Sequence, residues 1–272
     1  MADRPRSDLT VLVTGATSGI GLATARQLAA GGAEVLVHGR DQRRVAEVVQ
    51  RLRHDGGRAE GIVADLASLE RTARLAAEVA ERAPGLDALI NNAGAGPASP
   101  GGRREVSEDG YELRFAVNYL APYSLTHELL QRGLPRRAIV NVASAGQAPI
   151  DFDDPLLERR YDGWQAYCRS KVALVMLTFD LSEEVPGLAV NALHPGTYLD
   201  TPMVREMGVR PLGTAEDGAR AVLALLEASL RGEVTGRYLD GVRPAKPDPQ
   251  ASDPNARRRL RELTQGLTAR VG

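Results

Sequence analysis

The sequence predicts a doubly wound α/β fold, in which a parallel sheet carries helices on both faces. Short apolar runs alternate with segments of helical period from residue 9 to residue 240. Strand-length runs separated by helices are typical of βαβ units, whose right-handed crossovers build such a sheet. A glycine-rich turn also joins the first strand to the first helix. The 272 residues, 43% hydrophobic and 25% charged, suit one folded domain with a large core.

About seven strands are predicted, with helices between them. The first strand is a continuous apolar run that ends in glycine, as a fully buried strand does. The second helix begins at Asp41, a good N-cap residue, and the fourth follows a loop rich in Gly, Pro and Ser. The strands cover residues 9–14, 34–38, 58–64, 88–92, 138–144, 188–194 and 237–240. The helices cover residues 20–30, 41–53, 69–82, 111–131, 163–184 and 214–229. No linker or repeat interrupts them, so residues 1–241 are predicted to form a single Rossmann-type domain.

Residues 242–272 differ in composition from the rest of the chain. A segment rich in Pro and Asp is followed by a stretch in which Leu260, Leu263 and Leu267 share one helical stripe. This pattern predicts an amphipathic helix docked on the domain. Its arginine cluster is interpreted as a solvated face, with a membrane or partner patch as the alternative.

Composition and charge exclude several classes of function. The chain has 34 basic and 35 acidic residues, which gives no general attraction to nucleic acid or an anionic membrane. No window approaches the ~20 apolar residues of a membrane span. One cysteine permits no internal disulfide, and four scattered histidines form no metal-ligand spacing. We therefore expect a cytoplasmic protein without a metal site.

The turn after the first strand reads Thr-Gly-Ala-Thr-Ser-Gly-Ile-Gly, residues 14–21. Glycines permit a tight turn and a close approach of a ligand to the backbone. The N-terminus of the helix that follows offers N–H groups to a pyrophosphate. The spacing Gly-x-x-x-Gly-x-Gly favours a nucleotide site, although many ordinary βα turns are also rich in glycine.

The ends of the second and third strands bear on the choice of nucleotide. The second ends in Gly39-Arg40, where an acidic residue would bind the ribose diol of NAD and an arginine the 2′-phosphate of NADP. We therefore expect NADP rather than NAD, although a solvated arginine at a helix start would look the same. Asp65 follows the third strand, where it would accept from an adenine amino group or only cap a turn.

Thirty-two of the 34 basic residues are arginine, and Lys171 is one of only two lysines. Tyr167 lies four residues before it, on the same face of the predicted helix. A nearby ammonium favours the phenolate, so the pair is expected to lower the pKa of Tyr167 and to act as an acid/base unit. The alternative is a solvated polar pair.

Four of the six asparagines lie at strand ends or in the helix predicted over residues 111–131. They are expected to face the proposed nucleotide cleft, and they are Asn91, Asn92, Asn118 and Asn141. An asparagine inside a helix has poor propensity, so Asn118 needs a specific reason for its position.

Together these strings resemble the short-chain dehydrogenase/reductase family, and within it the retinol-dehydrogenase-like and WW-domain-oxidoreductase-like members. Residues 14–21 resemble the cofactor glycine motif, residues 91–94 the Asn-Asn-Ala-Gly element, and Pro195-Gly196 the step beside the nicotinamide. The resemblance implies a catalytic set of Asn118, Ser144, Tyr167 and Lys171. The residues expected to contact the cofactor are Gly15, Thr17, Ser18, Gly19, Ile20, Gly21, Arg40, Asp65, Leu66, Asn91, Ala93, Gly94, Tyr167, Lys171, Pro195, Gly196 and Thr197.

Two features depart from the family pattern. Ser144 and Tyr167 are 23 residues apart, and the charged insert between them is expected to rim the site. Four residues separate Pro195-Gly196 from Thr201, where the family usually has three. This leaves open whether Thr201 or Thr197 contacts the carboxamide of the nicotinamide. Trp164 and Tyr198 are candidates to line the substrate pocket.

The resemblance implies hydride transfer between a nicotinamide and a carbonyl or alcohol substrate. With NADP preferred, we expect reduction of a ketone or aldehyde, with Tyr167 as the proton donor, Ser144 polarising the carbonyl and Asn118 holding a water that relays protons to Lys171. A non-catalytic NADP-binding sensor or scaffold on the same fold is the alternative, and an intact catalytic set argues against it. The oligomeric state stays open, although the resemblance indicates helices 111–131 and 163–184 as the surfaces through which members of this family often form homodimers.

Overall fold

A computed structural model describes residues 8–98 and 102–269, and its central feature is an eight-stranded sheet in the order β3-β2-β1-β4-β5-β6-β7-β8. Residues 1–7, 99–101 and 270–272 lie outside the described residues. The strands are β1 Thr10–Val13, β2 Glu34–Gly39, β3 Arg58–Val63, β4 Ala88–Asn91, β5 Ala138–Val142, β6 Ala189–His194, β7 Arg237–Asp240 and β8 Arg243–Pro244. β1 to β7 are parallel, which confirms the predicted doubly wound fold. The prediction missed β8, an antiparallel strand of two residues, which is too short to give an apolar pattern.

Helices cover both faces of this sheet. They are α1 Gly19–Ala30, α2 Gln42–His54, α3 Leu69–Arg82, α4 Leu113–Phe115, α5 Ala121–Leu130, α6 Gly163–Glu184, α7 Pro202–Glu206, α8 Ala215–Leu230 and α9 Pro254–Thr268. The helix predicted over residues 111–131 is instead α4 and α5 joined by a π-helical turn, Ala116–Leu120. The short α7 was not predicted.

The side chains of the central strands divide between two cores. Leu12, Leu36 and Leu89 point to one face of the sheet, and Val11 and Val13 point to the other. Because both faces are covered, these strands are apolar at consecutive positions, such as residues 11–13, rather than only at alternate ones. The strand order reverses between β1 and β4, and a ligand crevice is expected at the carboxyl ends of these two strands.

The C-terminal helix α9 packs against α6 and the π-helical turn. Leu260 is 2% exposed, and Thr264 Oγ1 lies 2.7 Å from the hydroxyl of Tyr119. Arg257 is buried and pairs with both oxygens of Glu183, at 2.9 and 3.1 Å. This arginine therefore links α9 to α6. The interpretation of the whole C-terminal arginine cluster as a solvated helix face is wrong at this residue. None of the helices within residues 8–98 and 102–269 combines the length and the apolar character that crossing a membrane requires.

Candidate active site

The glycine turn lies between β1 and α1, at the point where the strand order reverses. Gly15 and Gly19 have φ angles of +63° and +52°, which side-chain-bearing residues rarely adopt. A Cβ at Gly21 would lie 2.3 Å from the carbonyl oxygen of Gly15. The glycines therefore allow the turn to close and bring the first N–H groups of α1, which have no intrahelical acceptor, to the crevice.

His38 stabilises this turn, a role that the sequence did not indicate. The N–H of Gly15 donates to its Nδ1 at 3.3 Å, so Nε2 carries the proton and donates to the Ala64 carbonyl at 3.1 Å. Burial lowers the pKa of His38 to about 4, so the ring is neutral near pH 7. A neutral imidazole can accept and donate at once, and it ties the turn to the end of β3.

Asn92 joins the loop after β4 to the same turn. Its side-chain amide donates to the Thr14 carbonyl at 2.8 Å, and its backbone N–H donates to Thr14 Oγ1 at 2.9 Å. The N–H of Ala93 also donates to Thr14 Oγ1, at 3.0 Å. These bonds join residues 92 and 93 to the glycine turn.

The side chains of Asn91 and Asn141 lie in the interior instead of the cleft. The Asn91 amide donates to Asn141 Oδ1 at 2.9 Å, and the Asn141 amide donates to Thr178 of α6 at 2.9 Å. The two asparagines are register partners on adjacent strands, so their side chains share one face of the sheet. That face is covered by α6, and only the backbone of Asn91 is available to a cofactor.

Tyr167 and Lys171 lie one turn apart on α6, whose N-cap is Asp162. The Lys171 Nζ is 5.7 Å from the centroid of the Tyr167 ring and donates to the carbonyl of Val142 at 2.9 Å. Lys171 is only 4% exposed, and burial lowers its pKa to about 8. A cation that loses its hydration releases its proton more easily, which is the physical reason for this shift.

The pKa of Tyr167 moves in the direction opposite to the expected one. Burial raises it, and a hydrogen bond with the side chain of Ser144 offsets part of this effect. Desolvation of the phenolate dominates here because Tyr167 is buried and the amine of Lys171 is directed to Val142. Tyr167 is therefore a protonated phenol near neutral pH.

The π-helical turn gives Asn118 the reason for its position. Its Oδ1 accepts from the N–H of Ala95 at 2.7 Å, and its Nδ2 donates to the Ala95 carbonyl at 3.0 Å and to Ser170 Oγ at 2.9 Å. Such turns often occur at functional sites. A Cβ at Gly94 would lie 3.3 Å from Asn118 Oδ1 and 3.7 Å from Lys171 Nζ, so this glycine lies between the two predicted catalytic side chains.

Two further side chains, not identified from the sequence as site residues, hold Ser144. Its carbonyl accepts from the hydroxyl of Tyr238 at 2.8 Å and from Gln147 Nε2 at 2.8 Å. Its Oγ accepts from the N–H of Gly146 at 3.0 Å. No local pattern in the sequence distinguishes Gln147.

Aromatic side chains lie at the rim of this site. The ring of Trp164 stacks on that of Tyr167, with the centroids 5.9 Å apart, and remains 45% exposed. Tyr198 is 37% exposed and has a φ of +48°, a strained value for a tyrosine. The insert that follows Ser144 is anchored to α6 because Arg169 donates to the Asp154 carbonyl at 3.1 Å.

The structure separates the two threonines that the sequence left as alternatives. A Cβ at Gly19 would lie 3.1 Å from Thr201 Cγ2, so Thr201 is next to the glycine turn. Thr197 Oγ1 instead lies 3.1 Å from Nε2 of His194. Thr201 also caps α7, in which Met203 packs against Gly96 of the loop after β4. The start of α7 thus lies next to both the glycine turn and the loop after β4.

Arg40 and Asp65 line a cavity of about 510 Å³ at the ends of β2 and β3. Arg71 and Arg74 of α3 also line it. Asp65 Oδ1 accepts from the N–H of Ala67 at 3.0 Å, so this carboxylate does cap a turn.

Within residues 8–98 and 102–269, no three His, Cys, Asp or Glu side chains lie close enough together to hold a metal ion.

The sequence and the fold both match known proteins. The profile of the short chain dehydrogenase family matches residues 9–210. Human retinol dehydrogenase 13 is 34% identical over 92% of this chain and 82% of its own length. A Streptomyces lividans protein named "Probable oxidoreductase" is 36% identical over 92% of this chain and 94% of its own length.

Solved structures with the same fold include proteins crystallised with a cofactor. An uncharacterized protein from Mycobacterium paratuberculosis superimposes with a TM-score of 0.79 at 29% identity, covering 98% of this chain and 97% of its own. A short chain dehydrogenase from Shigella flexneri, complexed with NADP, has a TM-score of 0.69 at 26% identity and covers 86% of this chain and 97% of its own.

Proposed function

The chain belongs to the short-chain dehydrogenase family, and on this premise we propose that it uses NADPH to reduce a ketone or aldehyde, with Tyr167 as the general acid. Family membership makes it a nicotinamide-dependent oxidoreductase that acts on alcohol or carbonyl groups. One observation carries the more specific proposal. A buried, protonated phenol, whose pKa the Ser144 side chain lowers in part, lies one helical turn from the buried amine of Lys171, and the ring of Trp164 stacks on it.

The nicotinamide cofactor supplies the hydride, and the residues around the crevice fit it. The first turn of α1 would bind its pyrophosphate, since the glycine turn leaves the helix N-terminus open to a ligand. The small residues Ala93 and Gly94 leave room for a ribose next to Lys171. Pro195, Gly196 and one of the two threonines would face the carboxamide, and Thr201 is favoured by its position beside Gly19.

The protonated state of Tyr167 is the one that a general acid in the reductive direction requires. A general acid must carry its proton at the working pH, and burial raises the pKa of Tyr167 above its usual value. Tyr167 would give this proton to the oxygen of the substrate as it gains negative charge. Ser144 would donate a second hydrogen bond to the same oxygen. Lys171, whose pKa is lowered to about 8, would return a proton to Tyr167 by way of a water held at Asn118.

The charged residues near the proposed position of the cofactor's adenosine half support NADP rather than NAD. Arg40 lies next to Gly39, and a Cβ at that glycine would be 2.6 Å from Thr17 of the glycine turn. The backbone of Arg40 therefore follows directly on a residue that touches the glycine turn, and no carboxylate at residues 39 and 40 competes for a ribose diol. Arg71 and Arg74 line the same cavity, together with the carboxylates of Asp65 and Glu78, and each of the two arginines pairs with a glutamate.

Tyr167→Phe tests the proposed role of the phenol. The variant is expected to bind NADPH normally, measured by quenching of its fluorescence, and to lose turnover by on the order of 10²–10⁴-fold. NADPH consumption is followed with all-trans-retinal, nonanal and a decalone. Tyr123→Phe removes a hydroxyl from α5 and serves as the control. Undiminished turnover in Tyr167→Phe would refute the mechanism, and NADPH binding without turnover by the wild type on a broad carbonyl panel would favour a sensor.

A homodimer and residence in the cytoplasm stay predictions. Helix α9 occupies part of the proposed dimer face, since Tyr119 and Glu183 both contact it. A dimer would therefore have to use the remaining surface of α5 and α6. Light scattering on the full chain measures the mass, and fractionation of the producing cells tests the location.

A further inference from the structure

We infer that Gln147 is a positioning residue for Ser144, and that through Gln147 the C-terminal segment is part of the active-site structure. This inference rests on the proposed function, because it assigns a role around the proposed catalytic serine. The side-chain amide of Gln147 donates to the Ser144 carbonyl at 2.8 Å. Its Oε1 accepts from the backbone N–H of Asp248 at 3.0 Å. One amide therefore bridges two segments that are about a hundred residues apart in sequence.

A second glutamine fixes the other end of the same turn. Gln250 Nε2 donates to the Ile150 carbonyl at 3.0 Å, and the N–H of Ile150 donates to Gln250 Oε1 at 2.6 Å. Ile150 is buried, so this end of the turn is fixed in the core. Residues 144–150 are thus held at both ends by residues 248–250, within the segment that composition set apart from the domain.

The bonds at Ser144 determine where its hydroxyl points. The carbonyl uses both lone pairs, one for Gln147 and one for Tyr238. The Oγ accepts from the N–H of Gly146, which leaves its own proton free to donate. A catalytic donor must lie within a few tenths of an ångström of its working position. Loss of one bond to the carbonyl would loosen the peptide that carries this donor.

Only an amide at position 147 satisfies both neighbours, because the site requires one donor and one acceptor. Gln147→Glu keeps the size of the side chain and can still accept from Asp248. The carboxylate cannot donate to the Ser144 carbonyl and would repel it. The pair Gln147→Glu and Gln147→Ala therefore separates the donated bond from simple packing.

The test compares the kinetics of full-length variants with the best substrate among all-trans-retinal, nonanal and a decalone. Gln147→Ala and Gln147→Glu are both expected to lower kcat about 10-fold, the value of one hydrogen bond, and to leave the KM for NADPH unchanged. Gln250→Ala is expected to act in the same direction. Gln50→Ala, on the exposed side of α2, is the matched control and is expected to match the wild type. A wild-type kcat in Gln147→Glu would overturn the inference.

A second measurement does not depend on turnover. Hydrogen exchange of the Gly146 amide reports on the bond to Ser144 Oγ, and it is expected to be at least 10-fold faster in Gln147→Glu than in Gln50→Ala. Unchanged exchange would overturn the inference even without a known substrate. Tyr167→Phe is measured in parallel to separate the two hypotheses. If it keeps full turnover, the proposed mechanism fails. If it loses turnover while both Gln147 variants behave as wild type, only the positioning role fails.

Discussion

Replacing Lys171 with methionine is expected to stabilise the protein near neutral pH while it removes activity. The amine is buried and its pKa is lowered from 10.5 to about 8, so the folded chain holds this proton less tightly than the unfolded chain does. The unfolded state therefore binds more protons between these two values, and the wild type gains stability as the pH rises through this window. The cost of burying the ammonium is fully present below pH 8.

The size of the effect follows from the two pKa values. From pH 7 to pH 9.5 the wild type should gain about 2 kcal/mol relative to Lys171→Met. The variant also leaves the carbonyl of Val142 without its donor, which subtracts a constant amount from its stability at every pH. The slope of the stability difference with pH is therefore a more reliable measure than its absolute value.

Urea unfolding between pH 7 and pH 9.5, followed by circular dichroism, measures this slope. Lys246→Met removes the only other lysine, which is exposed, and serves as the control. A pH-independent difference for Lys171→Met would refute the argument, because it would mean that burial does not perturb the amine. Turnover should be lost in the same variant, since methionine can neither hold nor return a proton.

Three other substitutions test the cofactor site and the C-terminal helix. Arg40→Ala should weaken NADPH binding about 10-fold and NADH binding hardly at all, because an exposed guanidinium contributes at the lower end of the range for a charged hydrogen bond. Equal weakening of both cofactors, measured by fluorescence titration with Arg44→Ala as control, would rule out the 2′-phosphate contact. Gly21→Ala should abolish cofactor binding, since its Cβ would lie 2.3 Å from a backbone oxygen, whereas Gly266→Ala in α9 meets no atom within 4 Å and should bind normally. Arg257→Ala should lower the free energy of unfolding by about 1–3 kcal/mol, because Asp180 keeps Arg261 as a partner. The exposed Arg258→Ala is its control, and equal urea midpoints for the two variants would contradict the assigned role of Arg257.

The order of elements could be predicted because it depends on local periodicity. Apolar runs such as residues 9–14 and helices such as α6 have periods that follow from backbone geometry alone. The two-residue strand β8 and the five-residue α7 carry no such period, and tertiary contacts decide whether they form. The interruption of the long helix at Asn118 also escaped prediction. Its π-helical turn is stabilised by bonds to Ala95 and Ser170, which are distant in sequence.

The sequence alone determined the fold class, the glycine turn and the placement of Tyr167 and Lys171 on one helical face, because each depends on residues close together in the chain. Only the tertiary structure decided the pKa direction of Tyr167, since desolvation depends on everything that packs around a group. It also directed the side chain of Asn91 into the interior, made His38 a support of the glycine turn and brought Gln147 between Ser144 and Asp248. These roles depend on partners from distant segments, which local patterns in a sequence do not specify.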